Sequence, residues 1–180
     1  MIIRPAEPGD LNNILNIYAY AREQMRLTGN PKQWGDSNPP PETVREDIRR
    51  KRSYVILSQN SICGVFVFII GADPTYQRIE NGAWLNDEPY GTIHRIAKNG
   101  QEKGILSAAL SFCEKRTDNI RIDTHADNRI MQQLLEKYGF KRCGHIYVED
   151  GTQRIAYQKN IRAKTTADNR QSRVPNTLFK

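Results

Sequence analysis

Cysteine is scarce in this 180-residue chain: Cys63, Cys113 and Cys143 stand 50 and 30 residues apart, with no Cys-x-x-Cys pair. That spacing indicates neither a disulfide framework nor a thiolate zinc site, and predicts reduced, mostly buried thiols with no metal. Long hydrophobic runs are missing as well. The longest, Val65 to Ile70, is six residues, where a membrane-spanning helix needs about 20. The opening Met1-Ile2-Ile3-Arg4-Pro5 has no apolar signal region, so the expectation is a cytoplasmic protein with no membrane partner. Histidine numbers only three, at 94, 125 and 145.

What is present is the composition of one ordinary domain. The apolar set is 38 % without glycine, enough for a single core and too much for a disordered chain. The net charge of +7 divides unevenly, because residues 161 to 180 hold five cations against Asp168 and leave +3 for the rest. A mildly basic body suits an anionic cosubstrate as well as it suits a nucleic acid. The run Arg49-Arg50-Lys51-Arg52 ends a predicted helix, where cations complement the macrodipole. Neither it nor the tail carries interleaved aromatics, so no nucleic-acid partner is expected.

Periodicity and breakers give the order β α α β β β α β α β β. A strand at Ile2 to Ala6 leads to a helix capped by Asp10, with Leu11, Ile14, Leu15 and Tyr18 on one face. A second helix runs from Glu42 to about Lys51. Strands are predicted at Tyr54 to Leu57, Ile62 to Ile70 and Gly91 to Ala97, and the segment from Gly71 to Pro89 is a long functional loop or an unresolved element. Helices starting at Gly104 and at Asp127 or Asn128 flank a short strand, Asn119 to Asp123. A hairpin closes the domain around Asp150-Gly151. The predicted class is α/β (α+β), a single domain over 1–160, with a basic, mobile tail over 161–180.

Chemistry is concentrated at the turn from Lys98 to Gly104. It opens a helix, where unpaired N–H groups and the macrodipole attract phosphate oxygens, and Gly104 permits close approach. Gln101-Glu102-Lys103-Gly104-Ile105-Leu106 resembles the Gln/Arg-x-x-Gly-x-Gly/Ala turn of the GNAT superfamily, the GCN5-related N-acetyltransferases. Asn128, followed by Leu134-Leu135-Glu136-Lys137-Tyr138-Gly139-Phe140, resembles that family's Asn-started helix closing in Gly-Phe. Together the two motifs and the element order extend the resemblance over residues 1 to about 159.

The resemblance implies the GNAT fold, a mixed, mostly antiparallel sheet of about seven strands flanked by about four helices. It implies acetyl transfer from acetyl-CoA to a primary amine of a small molecule or protein by direct attack, without metal, and often a homodimer. The diphosphate of coenzyme A is expected on the backbone of Gln101, Glu102, Lys103, Gly104, Ile105 and Leu106. The pantetheine arm is expected along Ile96 and Ala97, with Asn128 touching it from the next helix.

Two positions depart from the family. Leu106 stands where the motif has Gly or Ala, and Leu135 where many members have a tyrosine that protonates the departing thiolate. These departures carry the alternative reading, a non-catalytic acyl-CoA-binding protein of the same fold. For proton transfer the first candidate is His125 and the second His94, with Glu80, His145 and Tyr147 behind them. Trp34 and Trp84, in the two long loops, are the candidates for contact with the acceptor.

Overall fold

A computed structural model of the chain describes residues 1–162. Most of the predicted tail therefore lies outside the described residues. The first strand, β1 (Ile2–Pro5), passes through a 3-10 turn at Pro8–Asp10 into helix α1 (Leu11–Leu27). Asp10 does not cap α1 as expected. The Arg4 guanidinium donates to its carboxylate at 2.7 and 2.9 Å and the Glu7 N–H at 2.8 Å, so Asp10 staples the turn to β1. Those hydrogen bonds from Arg4, against the cost of burial, hold the Asp10 carboxyl below the ordinary carboxylate range.

Helix α2 (Pro41–Arg49) starts on the last of three prolines, where a missing N–H costs nothing. Arg49 and Arg50 both donate to Glu46, and Arg52 to Asp47, so the cations near its end serve their own helix and the next turn. Strands β2 (Ser53–Ser58) and β3 (Ser61–Ile70) form a hairpin whose central residues, Gln59 and Asn60, have φ of 48° and 66°. Both angles are positive, the geometry that follows strand twist.

Every residue of β3 from Cys63 to Phe68 is buried, because both faces of the strand are covered. Val65 packs with Ile14, Ile17, Val44 and Ile48 beneath α1 and α2. Phe66 and Phe68 face the other layer. That layer is built by helix α3 (Ile105–Glu114), which follows strand β4 (Gly91–Lys98), and by helix α4 (Arg129–Lys137), which follows strand β5 (Asn119–Thr124). Leu106, Ala109, Leu110 and Leu135 are its buried contacts. Strands β6 (Lys141–Tyr147) and β7 (Gln153–Asn160) complete a seven-stranded sheet in the order β1-β2-β3-β4-β5-β7-β6. All neighbours are antiparallel except β4 and β5.

The loop left open by the sequence is a packed cover. It holds a 3-10 turn at Pro74–Tyr76 and an isolated bridge between Glu80 and His145. Tyr76 and Tyr90 are buried with Ile146 and Ala156, and Trp84 packs against them. The Arg121 guanidinium lies between the rings of Trp84 and Tyr90, 4.0 and 3.8 Å from their centroids. The three cysteines are buried and free. Among the described residues no helix is long and apolar enough to cross a membrane, and no group of His, Cys, Asp and Glu could hold a metal.

Candidate active site

Parallel pairing of β4 with β5 is limited to Gly91 with Ile120 and Thr92 with Arg121. Beyond those residues the two strands separate, and among the described residues β4 has no strand partner on that side. The separation opens into a cavity of about 650 Å³ whose walls include Ile93, His94 and Ile96 of β4, Ile122 and Thr124 of β5, and Asn128. Lys32 and Trp34 border it from the α1–α2 loop, and Glu149 and Asp150 from the β6–β7 turn.

The β4 side of the cavity is shaped by a bulge. Register against β3 shifts between the Val65–Ala97 and Val67–His94 pairs, and Arg95 there has φ of 50°. An L-residue in that region is strained, so something must hold it. The Tyr18 hydroxyl donates to the Arg95 carbonyl at 3.1 Å, and Arg95 donates to the Asp47 carboxylate at 2.7 Å. Asp47, buried at the end of α2, also accepts from Arg52 at 2.7 Å.

His94 is the histidine in the cavity wall. Its Nε2 lies 2.8 Å from Asp73 Oδ2, and the other Asp73 oxygen accepts the Thr75 N–H at 2.9 Å. Burial pushes the Asp73 carboxyl up, but the His94 hydrogen bond and charge and the Thr75 N–H outweigh it, so the net shift is downward. When the ring is neutral, an ionised Asp73 favours the tautomer with its proton on Nε2, and Nδ1, which no described residue engages, is then the acceptor. Below this pair the ring of Tyr76 stands edge-on to His94 at 5.8 Å, and its hydroxyl donates to Asp123 at 2.5 Å. Burial and the Asp123 charge raise the Tyr76 phenol well above its ordinary range, which keeps it a donor.

His125, the first candidate for proton transfer, is absent from the cavity wall. It belongs to the turn between β5 and α4, where its Nδ1 accepts the Asp127 N–H at 3.1 Å. Burial, with help from Arg154 and Lys32, lowers its pKa and favours the neutral acceptor that this turn uses. Glu80, His145 and Tyr147 also stand away from the cavity: Tyr147 donates to Glu80, which is paired with Arg78. Trp84 is an anchor of its own loop, donating to the Tyr76 carbonyl at 3.0 Å and stacking on that ring. Trp34 does line the cavity, edge-on to Tyr18 at 5.5 Å.

The turn after β4 is set by Asn99. Its N–H donates to the Cys63 carbonyl at 3.0 Å, and its side-chain oxygen accepts the Gln101 N–H at 3.1 Å. The Gln101 amide is therefore taken, against expectation. From Glu102 to Ser107, no described residue accepts from the backbone N–H groups; the first engaged amide is that of Ala108, bonded to the Gly104 carbonyl. Gly104 has φ of 78°, and a Cβ built on it would meet nothing among the described residues within 4 Å. Leu106, the departure from the motif, buries its side chain in the core under α3 and leaves the outer face of the turn open. Leu135 is likewise fully buried in the core. Asn128 caps α4 by accepting the Met131 N–H at 3.0 Å, and donates to the Gln33 side-chain oxygen at 2.9 Å.

β4 thus parts from β5 and then runs into a turn of unengaged amides. The profile described as an acetyltransferase (GNAT) domain matches residues 1–141. The chain belongs to that family. A GNAT family acetyltransferase from Streptococcus agalactiae is 31 % identical, with 88 % of this chain and 94 % of that one covered at a TM-score of 0.80. A GNAT family acetyltransferase from Listeria monocytogenes shares the fold at 19 % identity and a TM-score of 0.66, covering 88 % and 94 % of the two chains. The NatC complex bound to Gag peptide and CoA also shares it, at 14 % identity and a TM-score of 0.56, covering 88 % and 97 %. No curated protein matches the chain significantly.

Sequence reasoning missed Asp73, Asp47, Gln33 and Arg154. Asp73 and Arg154 had weak local signals: an Asp before Pro opening a turn, and a lone cation inside the apolar strand Arg154-Ile155-Ala156-Tyr157. Gln33 had none. Its side-chain oxygen collects donors from Asn30, Asn128 and Thr124, at 2.8, 2.9 and 3.4 Å, which only the closed fold brings together.

Proposed function

We propose that this GNAT protein transfers an acetyl group from acetyl-CoA to a primary amine by direct attack. The observation that carries the reading is the parting of β4 from β5 over a cavity lined by β4 as far as Ile96, followed by the unengaged amides of residues 102 to 107 in the turn into which β4 runs. Those amides, with Lys98 and Lys103 close in sequence, suit a diphosphate, and the open space over Gly104 leaves room for one. That a protein of the same fold is bound to CoA agrees with this assignment. The cosubstrate supplies an acyl thioester, which an amine can open without a metal.

The work left to the protein is to orient the amine and take its proton. An alkylamine titrates near 10.4, so freeing its lone pair at neutral pH costs about 4 kcal/mol. His94 is the group suited to accept that proton at Nδ1, with Asp73 holding Nε2–H and so the ring's orientation. The exposed edge of β4 beyond Thr92 offers backbone N–H to the thioester carbonyl. Trp34 gives the acceptor an apolar wall.

Thiol release from acetyl-CoA over a panel of amines tests the proposal. At pH 7 His94→Ala is expected to lower kcat about 10²-fold, and the deficit should shrink as pH approaches the amine's own pKa, where no base is needed. His125→Ala should cost less than about fivefold. Silence of the wild-type protein across the panel contradicts turnover and favours the second reading, coenzyme binding without transfer, to which the buried Leu135 points.

A further inference from the structure

Arg154 is the buried cation of the cavity wall, and its donors are only partly used. It stands on β7, 5 % exposed, in a row of buried residues. Its guanidinium has five N–H donors. One is directed at the Gln33 carbonyl at 3.0 Å and one, at the long distance of 3.4 Å, at the Gln153 carbonyl. The Asp123 carboxylate lies 3.8 Å from Nε, beyond hydrogen-bond reach, and one of its oxygens already accepts the Tyr76 hydroxyl. No described residue accepts from the remaining donors. A buried cation that has one long ion pair, to Asp123, and two backbone carbonyls keeps donors that a ligand in the adjoining cavity can complete.

We propose that Arg154 binds a carboxylate of the acceptor, so that the substrate class is an amino-carboxylate with its amine directed toward His94. This rests on the acetyl-transfer reading of the same cavity. A planar guanidinium pairs with a carboxylate through two parallel hydrogen bonds. The remaining charges of the wall select the kind of anion. Asp123, Glu149 and Asp150 border the same cavity, and they oppose a doubly charged phosphate while attracting the acceptor's ammonium. Exposed Lys32, on the rim from the α1–α2 loop, adds attraction for a single negative charge. The anchor also has a structural consequence. Because Arg154 donates to the Gln33 carbonyl, and the Gln33 side chain ties Asn128 and Thr124, a carboxylate on Arg154 bears on the loop that carries Trp34.

The test titrates the full chain with amino acids and with the matching amino acid amides, by calorimetry without acyl donor and by thiol release with acetyl-CoA. The wild-type protein should bind at least one amino acid about tenfold or more tighter than its amide. In Arg154→Gln the ratio should fall to about one. Arg154→Lys, which keeps the cation and a donor for the Gln33 carbonyl, should give an intermediate ratio if the glutamine variant fails to fold. Equal binding of acid and amide by the wild type, no binding of any amino acid at about 10 mM, or an unchanged ratio in both variants overturns the assignment. Selective binding of acids without thiol release supports the carboxylate site and removes the transfer reading. Thiol release that uses acids and amides alike removes the site and leaves the transfer reading standing.

Discussion

Gly104→Val is expected to lower the affinity for coenzyme A by at least about 10²-fold while the protein stays folded. Two effects act together. A β-branched residue at φ of 78° is strained by about 1–3 kcal/mol, and relieving the strain turns the neighbouring amides. The added side chain also enters the open space in which a diphosphate would lie, since among the described residues nothing stands within 4 Å of the new Cβ. Loss of two charge-assisted hydrogen bonds at about 1.5–3 kcal/mol each already exceeds the roughly 2.8 kcal/mol of a hundredfold change. Gly104→Ala, with a smaller side chain, should lose less. Calorimetric titration of both variants decides the matter, and an affinity within threefold of wild type for the valine variant would move the diphosphate elsewhere.

The second large effect concerns stability. Asp47→Ala removes a carboxylate whose side chain is 2 % exposed and which accepts from both Arg52 and Arg95. Breaking a buried pair by removing one partner costs about 3–5 kcal/mol, because the other charge is left uncompensated. Here the two guanidinium groups are 26 % and 24 % exposed, and water screens them in part. A loss of about 3 kcal/mol is the expected outcome, which for a chain of this length lowers Tm by roughly 6–12 °C. The β4 bulge should suffer as well. Its strained Arg95 would lose its side-chain anchor and keep the Tyr18 hydroxyl on its carbonyl, so kcat should fall in a variant still folded at assay temperature. Asp47→Asn keeps an acceptor oxygen and should lose about half as much stability. A Tm within 2 °C of wild type for the alanine variant would show that the cluster does not hold the bulge.

The fold was legible because its signals are local. Apolar spacing marked α1 and α3, the Asp150-Gly151 pair marked the last hairpin, and the unbroken apolar run of β3 marked a strand covered on both sides. Asp10 shows where locality stops: its residue type fits a helix cap, yet Arg4 claims it from β1. The candidate site was legible in its backbone and not in its side chains. Gly104 and its turn follow from residue type and position in the chain. Sequence placed His125 ahead of His94, whereas the cavity wall holds His94 and not His125; that order depends on the separation of β4 from β5 and on Asp73, a partner 21 residues away. The two tryptophans looked equivalent in sequence, and only the stacking of Trp84 on Tyr76 under Arg121 tells them apart. Leu106 departs from the motif as read in sequence, yet it is compatible with an open turn because α3 rotates it into the core.

Binding of coenzyme A by the backbone amides after β4 is tested most directly by amide proton spectra recorded during a coenzyme A titration. The resonances of residues 102 to 107 should move together and saturate with the added ligand, followed by smaller shifts along Ile93 to Ala97 of β4. Saturable shifts confined to other parts of the chain, with residues 102 to 107 unmoved, would contradict it.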